Sequence, residues 1–297
     1  MTEIKATIIA DSISSDGIRI TTMHLRYPRF IHSEFLTHRE FSRNARSSRA
    51  VPTKKLLMEN IAEPVYWGVN KPGMQAGEEL SGWRLIAAKI VWRSMATMTQ
   101  IGVNMLSKIG LHKQHASRPL EWFGYIDTLV TSTSWANFMH LRDHPDAQPE
   151  IRELAVAIKT ALNDSTPKKM DVGSWHMPYI EITDLLDVEN MVKKMNLPPS
   201  QHNAEVRDTL LKLSVARCAR ISYRPFNGDA DLVAEINRYH KLVGSVPLHA
   251  SPAEHQATPD IKTAWGWQNP DLHGNLIGWQ QYRKTLSGEY MPEKRYT

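Results

Sequence analysis

The stretch Thr37-His38-Arg39-Glu40-Phe41-Ser42-Arg43-Asn44-Ala45-Arg46-Ser47-Ser48-Arg49 holds the densest chemistry in this sequence of 297 residues. Its arginines follow one another at spacings of four, three and three. On a helix that spacing lays them along one stripe, and the run from Phe30 to Ala50, closed by Pro52, reads as a helix. Guanidinium forks grip phosphate oxygens in pairs, and serine hydroxyls complete such a cradle. Two plainer readings stand beside it. One is a solvated basic helix, which the spacing alone favours; the other is a nucleic-acid stripe that contacts phosphates without reading sequence.

Upstream, Ile4 to Ile9 and Ile18 to Leu25 read as strands joined by a turn at Asp16-Gly17. Downstream, a Pro/Gly/Asn-rich loop (64–77) leads into the strongest helix, Trp83 to Ile109, with Gly110 as its cap. Its methionine-rich stripe reads as core. Residues 119–137 read as helical, with an ambiguous stretch at 130–133. Helices are expected over 150–163 (opened by Pro149), 182–195, 203–219 and 231–244. Residues 165–179 read as irregular, and the chain from Pro247 onward as loop with short helices. Strands interspersed with long helices and no repeat or linker imply one mixed α/β (α+β) domain over 1–297.

Composition narrows the function. With 36 basic and 31 acidic side chains the net charge is +5, which favours anionic partners. No apolar run approaches a membrane span, no secretory leader is expected, and the one cysteine, Cys218, excludes an internal disulfide and cysteine-rich zinc sites. A reducing cytoplasm is the natural compartment. Known signatures fail on inspection. His32-Ser33-Glu34 begins a zinc-deaminase pattern without its Pro-Cys-x-x-Cys partner, and Walker, GxGxxG, GxSxG and HExxH motifs do not occur. The pairs His112/His115 and His249/His255 lack accompanying ligands, so no metal is expected.

Thr37-His38-Arg39, seven residues, then Ser47 resembles the Arg-His-Arg-x7-Ser signature of flavin-dependent thymidylate synthases, through Asn44 and Arg49. Asn137-Phe138-Met139-His140-Leu141-Arg142 and then Ala147-Gln148-Pro149-Glu150-Ile151 resemble that family's Asn-x4-Arg and Ala-Gln-x-Glu-Ile segments. A third match is out of order. The family opens on Ala-Arg-x-Ser, a helix and a His-x-Thr-Pro-x-Glu-His turn, whereas here Ala219-Arg220-Ile221-Ser222 and His249-Ala250-Ser251-Pro252-Ala253-Glu254-His255 come late. The resemblance therefore implies a circularly permuted member with a central β-sheet and long helices. Residues 1–200 would carry the signature and nucleotide part, and 201–297 the permuted flavin-binding segment and tail. Permutation predicts that Glu254 and His255 lie close to residues 17–22.

The same resemblance implies a homotetramer with FAD at subunit interfaces. By position, His38, Arg39, Asn137, Ser222, His249, Ser251 and Glu254 would contact FAD. Ser47, Ser48 and Arg49 would hold the nucleotide phosphate, with His115 supplied from a neighbouring subunit. Arg142 would reach the pyrimidine ring and polarise a carbonyl. Glu34 stands where relatives carry Gln, and could accept from an exocyclic amine or sit near ribose or phosphate. The implied chemistry transfers a one-carbon unit from methylenetetrahydrofolate to C5 of a pyrimidine deoxynucleotide, dUMP foremost, with flavin supplying hydride and NADPH reducing the flavin. It needs no enzyme nucleophile, which suits a chain whose Cys218 reads as a small buried side chain. The chain departs from the family at Thr37 and Thr133, where arginines help grip flavin phosphates. Two alternatives remain open: a dUMP or dCMP hydroxymethylase on the same scaffold, and, less favoured, a basic nucleic-acid-binding protein without turnover. Trp265, Trp267 and Trp279 could cover a folate site, though core or interface packing is the expected use.

Overall fold

The computed structural model describes residues 3–222, 231–245 and 248–289. Two ten-residue strands, β1 (Lys5–Ser14) and β2 (Arg19–Pro28), form a hairpin around Gly17, whose φ of +79° suits the turn. A short helix α1 (His32–Phe35) follows, then β3 (Ser42–Ala45). Next come α2 (Thr53–Leu56), the 28-residue α3 (Gly82–Ile109), α4 (Lys113–Ala116), β4 (Tyr125–Ser132), α5 (Ala136–Arg142), α6 (Pro149–Asp164) and β5 (Lys168–Met170). The second half holds α7 (Ile182–Lys193), α8 (Pro199–Ala219) and α9 (Leu232–Val243). Small strands follow: β6 (Ala257–Pro259), β7 (Lys262–Thr263), β8 (Gly266–Trp267) and β9 (Trp279–Gln281).

The central sheet runs β3-β4-β2-β1-β5, antiparallel throughout except for the parallel β1–β5 edge. Strand alternation divides its side chains between two covered faces. On one face Met23, Leu25, Tyr27, Ile126 and Val130 pack against Phe138 of α5 and Ile151, Leu154 and Ile158 of α6. On the other, Ile20 meets Ala257, Leu276 and Trp279, and Leu129 meets Cys218 and Ile221. The chain is thus a mixed α+β fold with its sheet between an α5/α6 layer and a layer built from residues beyond 175.

That second interface is unusually polar for a core. Thr22 Oγ1 bonds Thr131 Oγ1 at 2.6 Å and His176 Nε2 at 2.8 Å. Thr131 Oγ1 bonds His255 Nδ1 at 2.8 Å, and Ser12 Oγ bonds His176 Nδ1 at 2.9 Å. His255 therefore lies two hydrogen bonds from Thr22, and Trp279 Nε1 donates to the carbonyl of Ile18 at 3.2 Å. The Glu254-His255 turn therefore lies close to residues 17–22, joined to Thr22 through Thr131, as the permuted order predicts.

Several expectations need correction. Residues 30–50 are not one helix. Helix α1 ends at Phe35, and Arg43 Nη1 donates to the carbonyls of Leu36 and His38, satisfying groups a longer helix would have used. The chain then pairs as β3 with β4, Ser42 opposite Thr131 and Ala45 opposite Thr128, so the four arginines do not share a helical stripe. Residues 119–137 are likewise not one helix, and α5 begins only at Ala136. A 3-10 turn (Arg118–Phe123) and the β-branched run of β4 replace the helix, because that strand pairs on both sides, with β2 and β3. Residues 165–179 contain β5, and the tail holds two small two-stranded ladders.

Helix α3 has the expected extent, and Gly110 caps it with φ +94°. Its methionine-rich stripe is not core. Ala96 and Val103 are buried, but Trp83 (78% exposed), Ile86, Ile90, Met95, Met98 (69%), Ile101, Met105 and Ile109 face outward. Periodicity reports an apolar face and not what covers it. Trp265 also departs from the packing expected of it, at 98% exposed, whereas Trp279 is fully buried. Among the described residues no helix is long and apolar enough to cross a membrane.

Candidate functional site

The site forms at the β3 edge of the sheet. Phe41 and Phe138 sandwich His38: its ring lies 4.8 Å from Phe138, edge-on, and 6.0 Å from Phe41, stacked. Helix α5 places Phe138 and Arg142 four residues apart, hence on one face. From there Arg142 Nε donates to His38 Nε2 at 2.9 Å, and Arg142 Nη1 donates to the carboxylate of Glu34. A guanidinium can only donate. His38 Nε2 is therefore an acceptor, and the neutral ring carries its proton on Nδ1. Burial pushes the His38 pKa below its ordinary value, and the charges of Arg142 and Arg43 push the same way. Glu34, His38 and Arg142, drawn from two segments far apart in sequence, thus form one connected unit.

The late segments arrive at the same edge. The 3-10 turn Ser251–Glu254 and the turn Arg220–Ser222 both pack against β3. Glu254 is held by Arg283, while Gln281 Nε2 donates to Ser42 Oγ at 3.1 Å and Ser42 donates to Asn275 at 3.0 Å. Burial raises the Glu254 carboxyl pKa, opposed by Arg283, Ser42 and Arg43. Around this edge the side chains of Arg39, Asn137, His249 and Ser251 are exposed and have no partner among the described residues. The side chain of Ser222 lies outside what the structure describes.

The serine–arginine end of the segment faces another way. Ser48 is buried and donates to Glu121, which also accepts from Arg118 at 2.8 Å and Arg29 at 3.1 Å. Arg46 is spent on Glu59 and Asp127. Arg49 is exposed and unpaired among the described residues, and Ser47 is half-buried. His115, on α4, is exposed and bonds Gln114; within the chain it does not join Glu34, His38 and Arg142. Sequence reading missed Glu121, Arg29, Arg283, Asn275 and Gln281. Glu121 and Arg29 lie outside the quoted stretch and belong to no motif, and the tail residues have no local pattern that signals a distant partner.

The family model of the thymidylate synthase complementing proteins matches residues 19–168, half of the chain. The protein belongs to this family. The match takes in both the Thr37–Arg49 stretch and the Asn137–Ile151 stretch, and so agrees with the resemblance those segments carry. The segments at 219–255 lie beyond it. Among solved structures, the chain is similar to a UMP/dUMP methylase, PolB, from Streptomyces cacaoi. With 5-Br UMP bound, that structure shows 17% identity over 55% of this chain and 89% of that one, at a TM-score of 0.44. With 5-Br dUMP bound, the figures are 16%, 55%, 90% and 0.44. No curated protein matches the chain.

Proposed function

We propose that this protein transfers a one-carbon unit from methylenetetrahydrofolate to C5 of a pyrimidine deoxynucleotide, converting dUMP to dTMP, with FAD as cofactor and NADPH as its reductant. Family membership supports the reaction class, and the observation that carries the site is the Glu34–Arg142–His38 unit. In this reading the fixed positive charge of Arg142 lies against the pyrimidine ring and stabilises charge that develops on a ring carbonyl. Glu34 and His38 hold the guanidinium in one orientation, so no reorganisation is needed when the base arrives. Ser47, Ser48 and Arg49 bind the phosphate.

The donor set fits a flavin dinucleotide. Arg39 offers a guanidinium unpaired among the described residues for a pyrophosphate, and Asn137, His249 and Ser251 offer exposed polar groups. Glu254 sits beside them, and Ser222 completes the set by position. When bound and reduced by NADPH, the flavin would supply the hydride that brings the transferred one-carbon unit to the methyl level. The chain itself offers no thiolate for attack on the ring. Cys218 is fully buried and bonded by Gln256, and burial raises its pKa further above neutrality.

We further propose that the chain is a single catalytic domain in permuted order, acts in the cytoplasm, and assembles as a homotetramer through the exposed apolar face of α3. A face of that size on a water-soluble surface points to a partner, and His115 at the end of that region is then placed to serve a neighbouring copy. The test is a mass spectrum of nucleotide products. Purified protein with FAD, NADPH and methylenetetrahydrofolate would receive dUMP or dCMP separately. A methyl gained on dUMP supports the reading. A hydroxymethyl on either base moves the protein to nucleotide hypermodification, and no product refutes both.

A further inference from the structure

Three donors converge on one oxygen of Glu121. The Ser48 hydroxyl, Arg118 Nη1 at 2.8 Å and Arg29 Nη2 at 3.1 Å all reach Oε1. They come from three places: the end of β2, the loop after β3, and the 3-10 turn that carries Glu121 itself. The four side chains belong to the surroundings of one cavity, which Arg29, Ser48 and Glu121 line together with Gln100, Ser117 and Arg46. Arg46 is already neutralised by Glu59 and Asp127. The uncommitted charge is therefore two guanidiniums against one carboxylate.

Two guanidiniums and a hydroxyl directed at a single oxygen form the arrangement a phosphate oxygen requires. A phosphomonoester carries about −1.5 to −2 charges at neutral pH, which suits the pair of arginines better than the single carboxylate does. We infer that Glu121 is a built-in occupant of the phosphate end of the nucleotide site, displaced by the phosphate of the incoming monophosphate and so decisive for which ligands enter. The inference rests on the assignment of Ser48 to the nucleotide phosphate made above. With the cradle empty, Glu121 keeps Ser48 and the half-buried Arg29 satisfied. A nucleoside without phosphate has nothing to exchange for it and leaves the cradle closed.

The experiment is calorimetric titration of inorganic phosphate, dUMP and deoxyuridine into the wild type, Glu121→Gln and Glu121→Asp. Glutamine keeps the shape and the acceptor but removes the competing charge; aspartate keeps the charge but withdraws it from Ser48. Glu121→Gln should bind dUMP and phosphate at least about tenfold tighter than wild type, with deoxyuridine unchanged and Glu121→Asp between. Equal or weaker dUMP binding by a Glu121→Gln protein that melts like wild type overturns the inference. If that variant does not fold, unchanged dUMP affinity in Glu121→Asp overturns it instead. Ser48→Ala separates the two readings. If it leaves dUMP affinity unchanged while Glu121→Gln tightens inorganic phosphate, the anion cradle stands and the nucleotide assignment falls.

Discussion

Acidification from pH 7 to pH 5 should loosen this fold, and the main cause is a pair of buried histidines. His176 and His255 are both fully buried in the polar seam between the sheet and the C-terminal layer. Burial pushes each to about 3; Asp11 opposes this slightly at His176, and His176 adds to it at His255. An unfolded histidine titrates near 6.5. Both groups are depressed in the folded state, so their contribution is complete above about pH 6.5 and is lost as pH falls toward about 3. Between pH 7 and pH 5 linkage gives about 1.9 kcal/mol for each, or roughly 4 kcal/mol together. The acids held lowest, Asp127 and Asp260 at about 2, titrate below that window and do not blur it. Urea unfolding at pH 7 and pH 5 measures the loss directly. The decisive comparison is His176→Gln, whose amide keeps partners for Ser12 and Thr22 but cannot take up a proton. Its absolute stability is immaterial; its pH dependence should shrink by about 2 kcal/mol over the same interval. His32, pushed down to about 4, adds to the slope of both proteins equally. A wild type whose stability is flat from pH 7 to 5, or a variant with the full slope, would refute the reasoning.

Three substitutions address the site and the surface. Arg142→Ala should lower turnover by roughly a hundredfold or more while the flavin absorbance of the purified protein is retained; full activity would remove Arg142 from the reaction. Arg49→Ala should weaken dUMP binding about tenfold with an unchanged melting temperature, since this exposed side chain has no partner among the described residues; unaltered affinity would place the phosphate elsewhere. Met98→Glu, at a position 69% exposed on α3, should reduce the mass seen by light scattering to a smaller species without unfolding the chain. An unchanged assembly would leave that face without the partner proposed for it.

Much of the fold is legible in the sequence where local pattern and tertiary role coincide. The β1–β2 hairpin, α6 with Pro149 in its first turn, and α3 with its left-handed Gly110 all stand where turn chemistry and periodicity place them. The failures share a cause. Phe41-Ser42-Arg43-Asn44-Ala45 has no strong local preference, and β3 exists because β4 offers it an open edge and the Phe35–Phe41–Phe138 cluster fixes its entry. The stripe on α3 shows the complementary limit, since apolar periodicity reads the same whether the cover is the chain's own core or something else. For the site, the motif residues Glu34, His38 and Arg142 were legible as candidates, and their junction through one guanidinium was not. Glu121 was invisible, because a single acidic residue in a turn carries no pattern until Arg29, Arg118 and Ser48 are seen around it.

Contact rather than chain order builds this site, and the C-terminal layer makes the point. The residues that complete the β3 edge lie after position 219, outside the matched family region, yet they are fastened to it by specific bonds. His255 reaches Thr22 through Thr131, Ser42 is bonded by both Asn275 and Gln281, and Asn275 also donates to the carbonyl of Glu40. The turn that ends at His255 therefore rests beside the start of β2, close to where a chain of the family's usual order would pass directly from one into the other. Permutation requires such an adjacency and leaves the interior contacts unchanged. The permuted order proposed for the chain would give the tail a way to act on the site. Arg283 and Gln281 hold the Ser251–Glu254 turn from behind, through Glu254 and its carbonyl. A disturbance of the tail would then reach Glu254 through Arg283 and the β3 edge through the Gln281–Ser42 bond.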